Sequence, residues 1–123
     1  MELKDLTKAE EQVMQVLWDL EKGFVKDVID QLPEPKPAYN TVSTIIRILE
    51  TKGFIDHEAF GKSHRYFPLI SKETYKSFAT EKLLSNYFGS SVESMFSFFV
   101  NEKKIDLKEA DEILKLIEKL KKK

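Results

Sequence analysis

The amino-acid sequence predicts a mainly α-helical protein with one small β element, and three observations support this class. Six segments repeat apolar residues at helical spacing, and one central stretch is rich in aromatic and β-branched residues around a Gly-Lys-Ser turn. Three prolines also crowd into Pro33–Pro37. A chain of 123 residues suffices for one compact domain or a small domain with a dimerisation appendage. We divide it into residues 1–70 and 71–123.

The composition describes a soluble protein with a core, since 41% of the residues are hydrophobic and 33% are charged. The absence of cysteine excludes disulfides and thiolate metal sites, and two histidines cannot supply an all-protein metal site alone. No Gly-rich phosphate loop, signal peptide or membrane-spanning run stands out. We therefore predict a cytoplasmic protein that is not an enzyme and needs no metal, cofactor or small-molecule substrate.

The first helix is predicted to begin after Thr7, because Thr7 and Glu10 have the spacing of a capping box. Its apolar face includes Trp18, which we interpret as a core anchor. The helix should end near Gly23, where glycine can adopt the left-handed conformation. A second short helix with one buried face follows, and Pro33–Pro37 then sets a stiff turn because proline cannot continue a helix.

The third predicted helix, within residues 38–53, has an unusual outer face. Its core-facing stripe consists of Val42, Ile45, Ile46 and Leu49. The opposite face carries Asn40, Ser43, Thr44 and Arg47, with Thr41 at its rim. Short polar side chains and one guanidinium suit a helix that approaches base edges and phosphates in a DNA groove. An ordinary amphipathic helix with a Ser/Thr-rich exterior is the alternative.

The stretch after the third helix predicts a β-hairpin, with strands in Phe54–Phe60 and His64–Ile70. Three short helices followed by a hairpin is the order of a winged helix-turn-helix domain, in which so small a hairpin must pack on the helices. Lys62, His64 and Arg65 near the tip can reach a phosphate backbone. The alternative is a charged tip that serves solubility alone.

Charge gives only modest support for a nucleic-acid partner, because the net charge of the chain is −1. Residues 1–35 have a net charge of −5, so residues 36–123 sum to +4. The cations of residues 36–67 outnumber the acidic residues there. This is a small electrostatic footprint, not a basic patch.

Three further apolar stripes at helical spacing follow residue 70, and the helices that carry them are predicted to begin at Ser71, Ser91 and Asp106. So small a region buries its apolar faces poorly alone, so pairing with a second copy is the natural solution. The predicted dimerisation surface consists of Tyr75, Phe78, Leu83, Met95, Phe96, Phe99, Ile113, Leu114 and Ile117. The cluster around Met95 and Phe99 has an alternative interpretation as a ligand pocket.

Three segments resemble the penicillinase-repressor (BlaI/MecI/CopY-like) family of winged helix-turn-helix transcriptional repressors. Leu6–Trp18, LTKAEEQVMQVLW, is similar to the family's opening helix. Tyr39–Ile55, YNTVSTIIRILETKGFI, resembles its recognition helix running into the wing. His64–Leu69, HRYFPL, resembles the returning wing strand. Together they run in register over about residues 6–120.

The resemblance implies a homodimer that binds a palindromic operator and blocks transcription. By position it implies DNA contacts from the third helix by Asn40, Thr41, Ser43, Thr44 and Arg47, and from the wing by Lys62, His64 and Arg65. It also implies a membrane sensor protease as a partner, since this protease cleaves an Asn-Phe bond in β-lactam-responsive members. The matching peptide here is Phe98-Phe99, which keeps the Phe and lacks the Asn. This departure weakens the expectation of regulated cleavage and of a role in β-lactam resistance.

Two further points bound the function. Copper-responsive relatives use a Cys motif near the C-terminus, and a chain with no cysteine cannot use that mode. Winged helices also serve as protein-interaction modules without specific DNA binding, and the acidic first third of the chain fits that second class of function. A preference for a palindrome over random DNA separates the two.

Overall fold

The computed structural model describes residues 3–121, and their order of elements is the predicted one. The elements are α1 Lys8–Leu20, α2 Val25–Gln31, α3 Tyr39–Thr51, β1 Ile55–Phe60, β2 Ser63–Pro68, α4 Lys72–Phe88, α5 Val92–Asn101 and α6 Leu107–Lys121. The two strands form an antiparallel hairpin. The predicted mainly α class with one hairpin wing is confirmed. Within this range no helix combines the length and apolarity needed to cross a membrane.

The beginning of α1 follows the prediction, and its end does not. The capping box is present, since the Glu10 amide donates to Thr7 Oγ1 at 3.2 Å and the Thr7 amide donates to Glu10 Oε1 at 3.0 Å. The prediction that Gly23 takes the left-handed conformation was wrong, because the residue with positive φ after α1 is Glu21, at 70°. Gly23 instead pairs with Tyr66 of β2 through two backbone hydrogen bonds of 2.8 and 2.9 Å.

The core lies where α1, α2 and α3 meet the start of the hairpin. Its fully buried side chains are Phe54, Met14, Leu17, Ile46, Leu49, Ile55, Val13, Val28 and Val42. Burial of each is worth about 1.5–3 kcal/mol before the entropy of ordering is subtracted. Trp18 lies at the margin of this core, half-buried, where its Nε1 donates to the Ile70 carbonyl at 2.9 Å.

A buried ion pair joins the first turn of α1 to the residue that follows α3. Glu10 is 5% exposed, and its Oε1 lies 2.6 Å from Lys52 Nζ, which also donates to the Asp5 carbonyl at 2.9 Å. Burial by itself would raise the pKa of Glu10. The hydrogen bonds from Lys52 and the Thr7 amide, with the charge of Lys52, outweigh burial and lower that pKa below its usual value.

The chain groups into two compact units, Met1–Phe78 and Ala79–Lys123, and α4 runs from the first into the second. In the first unit Tyr75 is buried, with its ring centroid 5.9 Å from Trp18 and 5.7 Å from Phe54. Its hydroxyl donates to Glu11 Oε2 at 3.0 Å, and burial with this acidic neighbour raises the pKa of Tyr75 to about 12. The predicted dimerisation role of Tyr75 stays a prediction, but contacts within its own chain already cover the ring.

The second unit has well-formed helix boundaries and little core. Ser91 and Asp106 accept hydrogen bonds from the amides of Ser94 and Glu109 at 3.0 and 2.8 Å, as predicted for helix starts. α4 ends at Phe88, and Gly89 takes a φ of 55° directly after it. None of the side chains described between residues 79 and 119 is fully buried. The helices of this unit therefore leave their apolar stripes largely uncovered.

We expect Glu10→Gln to lower the free energy of unfolding at pH 7 by about 1–2 kcal/mol, because the glutamine keeps the cap and loses the charge facing Lys52. The pKa of Glu10 is lower in the folded chain than in the unfolded chain. The ionised carboxylate therefore contributes its full stabilisation at pH values above the unfolded-state pKa, and this contribution is lost as the pH falls through the folded-state pKa. Urea denaturation of wild type and variant should therefore converge in acid. Glu73→Gln, which removes one partner of an exposed surface ion pair, is the control. If Glu10→Gln lowered the free energy of unfolding equally at pH 7 and in acid, this account would be wrong.

Candidate nucleic-acid interface

The outer face of α3 is open to solvent, and its inner face is buried. Val42, Ile46 and Leu49 point into the core, as predicted, while Ile45 is half-buried. On the outer face Ser43 is half-buried, and the exposed members of the predicted set are Asn40, Thr41, Thr44 and Arg47. The packing of one face thus presents the other as a mainly polar ridge.

Hydrogen bonds within α3 fix how this ridge can meet a partner. Thr44 Oγ1 donates to the Asn40 carbonyl at 2.9 Å, and Thr51 Oγ1 donates to the Arg47 carbonyl at 3.0 Å. Their single hydroxyl protons are used, so each threonine offers a partner only lone pairs and a methyl group. Arg47 makes one long bond of 3.5 Å to the Ser43 carbonyl and no ion pair within residues 3–121. Its guanidinium is the principal donor of the ridge.

The wing ends in a tighter turn than the sequence predicts. Phe60 pairs with Ser63, so only Gly61 and Lys62 form the turn and Ser63 belongs to β2. Gly61 has a φ of 61°, which suits glycine at the first central position of a two-residue hairpin turn. Lys62 therefore lies at the tip of the hairpin and is exposed.

A groove of about 720 Å³ separates α3 from the wing. It brings together predicted residues that are distant in sequence, with Ser43 and Arg47 on one side and Lys62 and His64 on the other. Its further lining residues are Phe24, Val25, Lys26, Asp27, Tyr39, Phe60, Ser63 and Tyr66. Lysines and Arg47 outnumber the one acidic residue of this lining, so the groove is locally basic although the chain is slightly acidic.

Arg65 does not join this groove. It follows His64 on the same strand, so their side chains leave opposite faces of the hairpin. Its Nη2 lies 3.2 Å from Glu58 Oε1, and its guanidinium carbon lies 4.7 Å from the centre of the Phe60 ring. Hydrogen bonds from Lys22 and Arg65 lower the pKa of Glu58, so this carboxylate is ionised opposite both cations. The DNA-binding role of Arg65 stays a prediction, and its guanidinium shares this one carboxylate with Lys22.

His57 couples the end of α3 to the wing. Its Nδ1 lies 2.7 Å from Glu50 Oε2 and 3.9 Å from Asp56 Oδ1, and its ring stacks on His64 with centroids 4.1 Å apart. His57 thus packs within the hairpin, with its ring against His64 and Tyr66. The three groups are close enough to hold a metal ion, but their hydrogen bonds already account for the arrangement. Burial and the negative charge of Glu50 raise the pKa of nearby Tyr66.

Two exposed residues of α3 belong to this surface and were missed by the sequence reasoning. Tyr39, 58% exposed in the first turn, lines the groove beside Ser43, and Ile48, 40% exposed, interrupts the polar ridge. A helical-wheel argument could have found Tyr39, since positions 39, 43 and 47 share one side of a helix. Ile48 is apolar and gave no such signal.

A polar third helix beside a hairpin with a cationic tip, both carried by a three-helix core, defines the class of winged-helix DNA-binding proteins. A family model described as penicillinase repressor matches residues 6–119. The chain therefore belongs to the penicillinase-repressor family, as the sequence resemblance predicted.

Individual relatives agree with this assignment. The chain is 22% identical over 116 residues to the methicillin resistance regulatory protein MecI of Staphylococcus aureus (strain N315), covering 94% of both chains. It is 23% identical over 117 residues to the penicillinase repressor of Bacillus licheniformis, covering 94% of this chain and 91% of that protein. The solution structure of the DNA-binding domain of the repressor BlaI matches with a TM-score of 0.53 and 27% identity, covering 60% of this chain and 92% of that one.

The family assignment settles the class of function. Its members are transcriptional repressors and not enzymes, which confirms that part of the prediction. The chain is a DNA-binding transcriptional repressor, and α3 with the wing is its candidate interface. The geometry of the groove is the basis for choosing which side chains contact DNA.

The two neighbouring wing cations should behave differently on DNA. Lys62→Ala should reduce the magnitude of the negative slope of log affinity against log salt by about 0.9, the effect of one lost phosphate contact. Arg65→Ala should change that slope less, because Glu58 and the Phe60 ring already hold this guanidinium against the hairpin. Fluorescence anisotropy with duplex DNA over a salt series measures both slopes. A loss for Arg65→Ala as large as that for Lys62→Ala would show that this assignment of the two faces is wrong.

Proposed function

We propose that the protein is a homodimeric repressor that binds a palindromic operator, inserting α3 of each protomer into the major groove. The observation that carries this proposal is the exposed ridge of short polar side chains on α3, directly beside a basic groove. Long charged side chains on that face would hold a helix away from base edges. Short ones allow its backbone to approach closely.

Roles follow from position along α3. Residues in the first turns of a recognition helix meet base edges, which favours Asn40, Thr41, Ser43 and Thr44 for short-range contacts. Asn40 can pair with adenine through its amide, and threonine methyl groups suit the thymine methyl. Arg47, with a long side chain and no ion pair within residues 3–121, suits guanine or a phosphate. Lys62 and His64 would contact the backbone across the groove.

Exposed apolar side chains in the second unit support the homodimer. Leu83, Leu114 and Ile117 are 43%, 55% and 44% exposed in the single chain, which is costly unless a partner covers them. The half-buried members of the proposed surface are Met95, Phe96, Phe99 and Ile113. Phe78 packs on Tyr75 at 5.8 Å and would lie at the edge of that surface. We keep the division into a DNA-binding part, residues 1–70, and a dimerisation part, residues 71–123.

Two-fold symmetry would place two copies of α3 in successive major grooves, about 34–36 Å apart or a multiple of that distance. Half-sites would then be spaced by whole turns of the duplex. Such a dimer would act in the cytoplasm, where its operator lies.

Cleavage by a membrane sensor protease has less support in this chain. The peptide Phe98-Phe99 lies inside α5, Val92–Asn101, where a protease would have to unwind the helix. The Phe98 ring contacts the rings of Phe88 and Phe99 at 5.7 and 6.2 Å. We therefore extend the proposal to DNA binding and dimerisation, and not to cleavage at this bond.

Arg47→Ala should weaken binding to a selected operator by about 1–3 kcal/mol, roughly a 5- to 150-fold loss of affinity, if the guanidinium reads a base. Operators selected from a random duplex pool and a band-shift assay provide the measurement. Lys72→Ala, an exposed substitution on α4 away from the groove, is the control. Failure to select any palindrome over random DNA would reject the operator proposal and favour a protein-interaction module.

Leu114→Glu combined with Ile117→Glu should convert the dimer to a monomer, because two carboxylates would be buried in an apolar contact. Sedimentation equilibrium measures the change, and Lys115→Glu, on the opposite side of α6, is the matched control. A wild-type chain that is monomeric at high concentration would contradict the homodimer, as would a doubly substituted chain that remains dimeric.

A further inference from the structure

A second groove borders α3 on the side away from the wing. It has a volume of about 580 Å³ and is lined by Lys4, Thr44, Arg47, Ile48, Thr51 and Lys52. Positions 44, 48 and 51 lie further around the helix than positions 39 and 43, which face the wing groove. Arg47 lines both grooves. The polar ridge of α3 therefore stands between two hollows.

The charges around this second groove are not equivalent. Lys52 is committed to Glu10 and to the Asp5 carbonyl, so its charge is balanced. Lys4 is exposed, and neither it nor Arg47 makes an ion pair within residues 3–121. The rim therefore offers two unbalanced cations. No acidic side chain is part of the lining.

The wall between those cations is apolar. Ile48 is 40% exposed there, an unusual position for isoleucine on the outside of a helix. The hydroxyl protons of Thr44 and Thr51 are used within α3, so their methyl groups and oxygen lone pairs remain for a partner. Cations at the rim and apolar side-chain groups along the wall are complementary to a strand of DNA, in which phosphates flank the apolar faces of the deoxyribose rings.

The segment before α1 is held in place, which gives Lys4 a defined position. Lys52 binds the Asp5 carbonyl at 2.9 Å, and the capping box fixes Thr7 at the start of α1. A lysine anchored this way loses less conformational entropy on binding than one in a free tail.

We infer that this second groove seats the sugar–phosphate backbone of one DNA strand, with Lys4 contacting a phosphate on the side of α3 opposite the wing. The inference rests on the proposed entry of α3 into the major groove. The wing and the N-terminal segment would then hold the two strands that border that groove. Lys4 would then be a DNA-binding residue. The net charge of residues 1–35 does not reveal it, because that part of the chain is acidic overall.

The test compares Lys4→Ala and Lys4→Glu with the control Lys72→Ala, an exposed lysine that lines neither groove. The probe is mixed-sequence duplex DNA of about 30 base pairs, titrated by fluorescence anisotropy between about 50 and 200 mM salt. Lys4→Ala should lower affinity about threefold or more and reduce the magnitude of the salt slope by about 0.9. Lys4→Glu should lower affinity further.

The outcomes separate this inference from the proposed function. If Lys4→Ala keeps the slope of Lys72→Ala while Arg47→Ala weakens binding, the second groove is not a DNA contact and the role of α3 stands. If the wild-type chain binds no duplex DNA, both are overturned. Thermal unfolding of the Lys4 variants should match wild type, because this exposed side chain has no ion pair within residues 3–121 to lose.

Discussion

The inner face of α3 packs against α1 and α2, and the position of the whole candidate interface depends on that contact. Val42, Ile46 and Leu49 are completely buried, so the helix cannot rotate about its axis without exposing them. The outer ridge is thereby fixed in orientation. The buried pair between Glu10 and Lys52 adds a directional constraint just beyond the C-terminal end of α3, where apolar packing alone is non-directional.

The wing takes its position from the same core. A two-stranded hairpin is marginal alone, and here Ile55 and Tyr66 are buried while the backbone of Gly23 pairs with Tyr66 along the free edge of β2. Alternation along β2 then sends His64 toward the groove and Arg65 away from it. The charge of the groove therefore depends on which side chains face it, and not on the net charge of the chain. A chain of net charge −1 consequently presents a basic groove, because cations and acids are sorted onto different faces.

The second unit obeys a different constraint. Three helices of 17, 10 and 15 residues, of which the first begins in the other unit, cannot enclose their own apolar stripes. Each Å² of apolar surface left in water forgoes about 25 cal/mol of stabilisation, so covering Leu114 and its neighbours by a second copy would contribute to both folding and assembly. In the proposed dimer, the same apolar contact would therefore stabilise the second unit and set the two-fold arrangement of the recognition helices.

The sequence by itself determined the order of helices and hairpin, the capping box at Thr7 and the polar face of α3, because each depends on residues close together in the chain. Tertiary structure alone decided features that join distant segments: the backbone bridge between Gly23 and Tyr66, the pairing of Arg65 with Glu58, the exposure of Ile48, and the groove shared by Lys4 and Arg47. The periodicity of the sequence predicts which residues share a face of a helix or strand. The residues that this face contacts are known only from the packing, because contacts between remote segments leave no local sequence pattern.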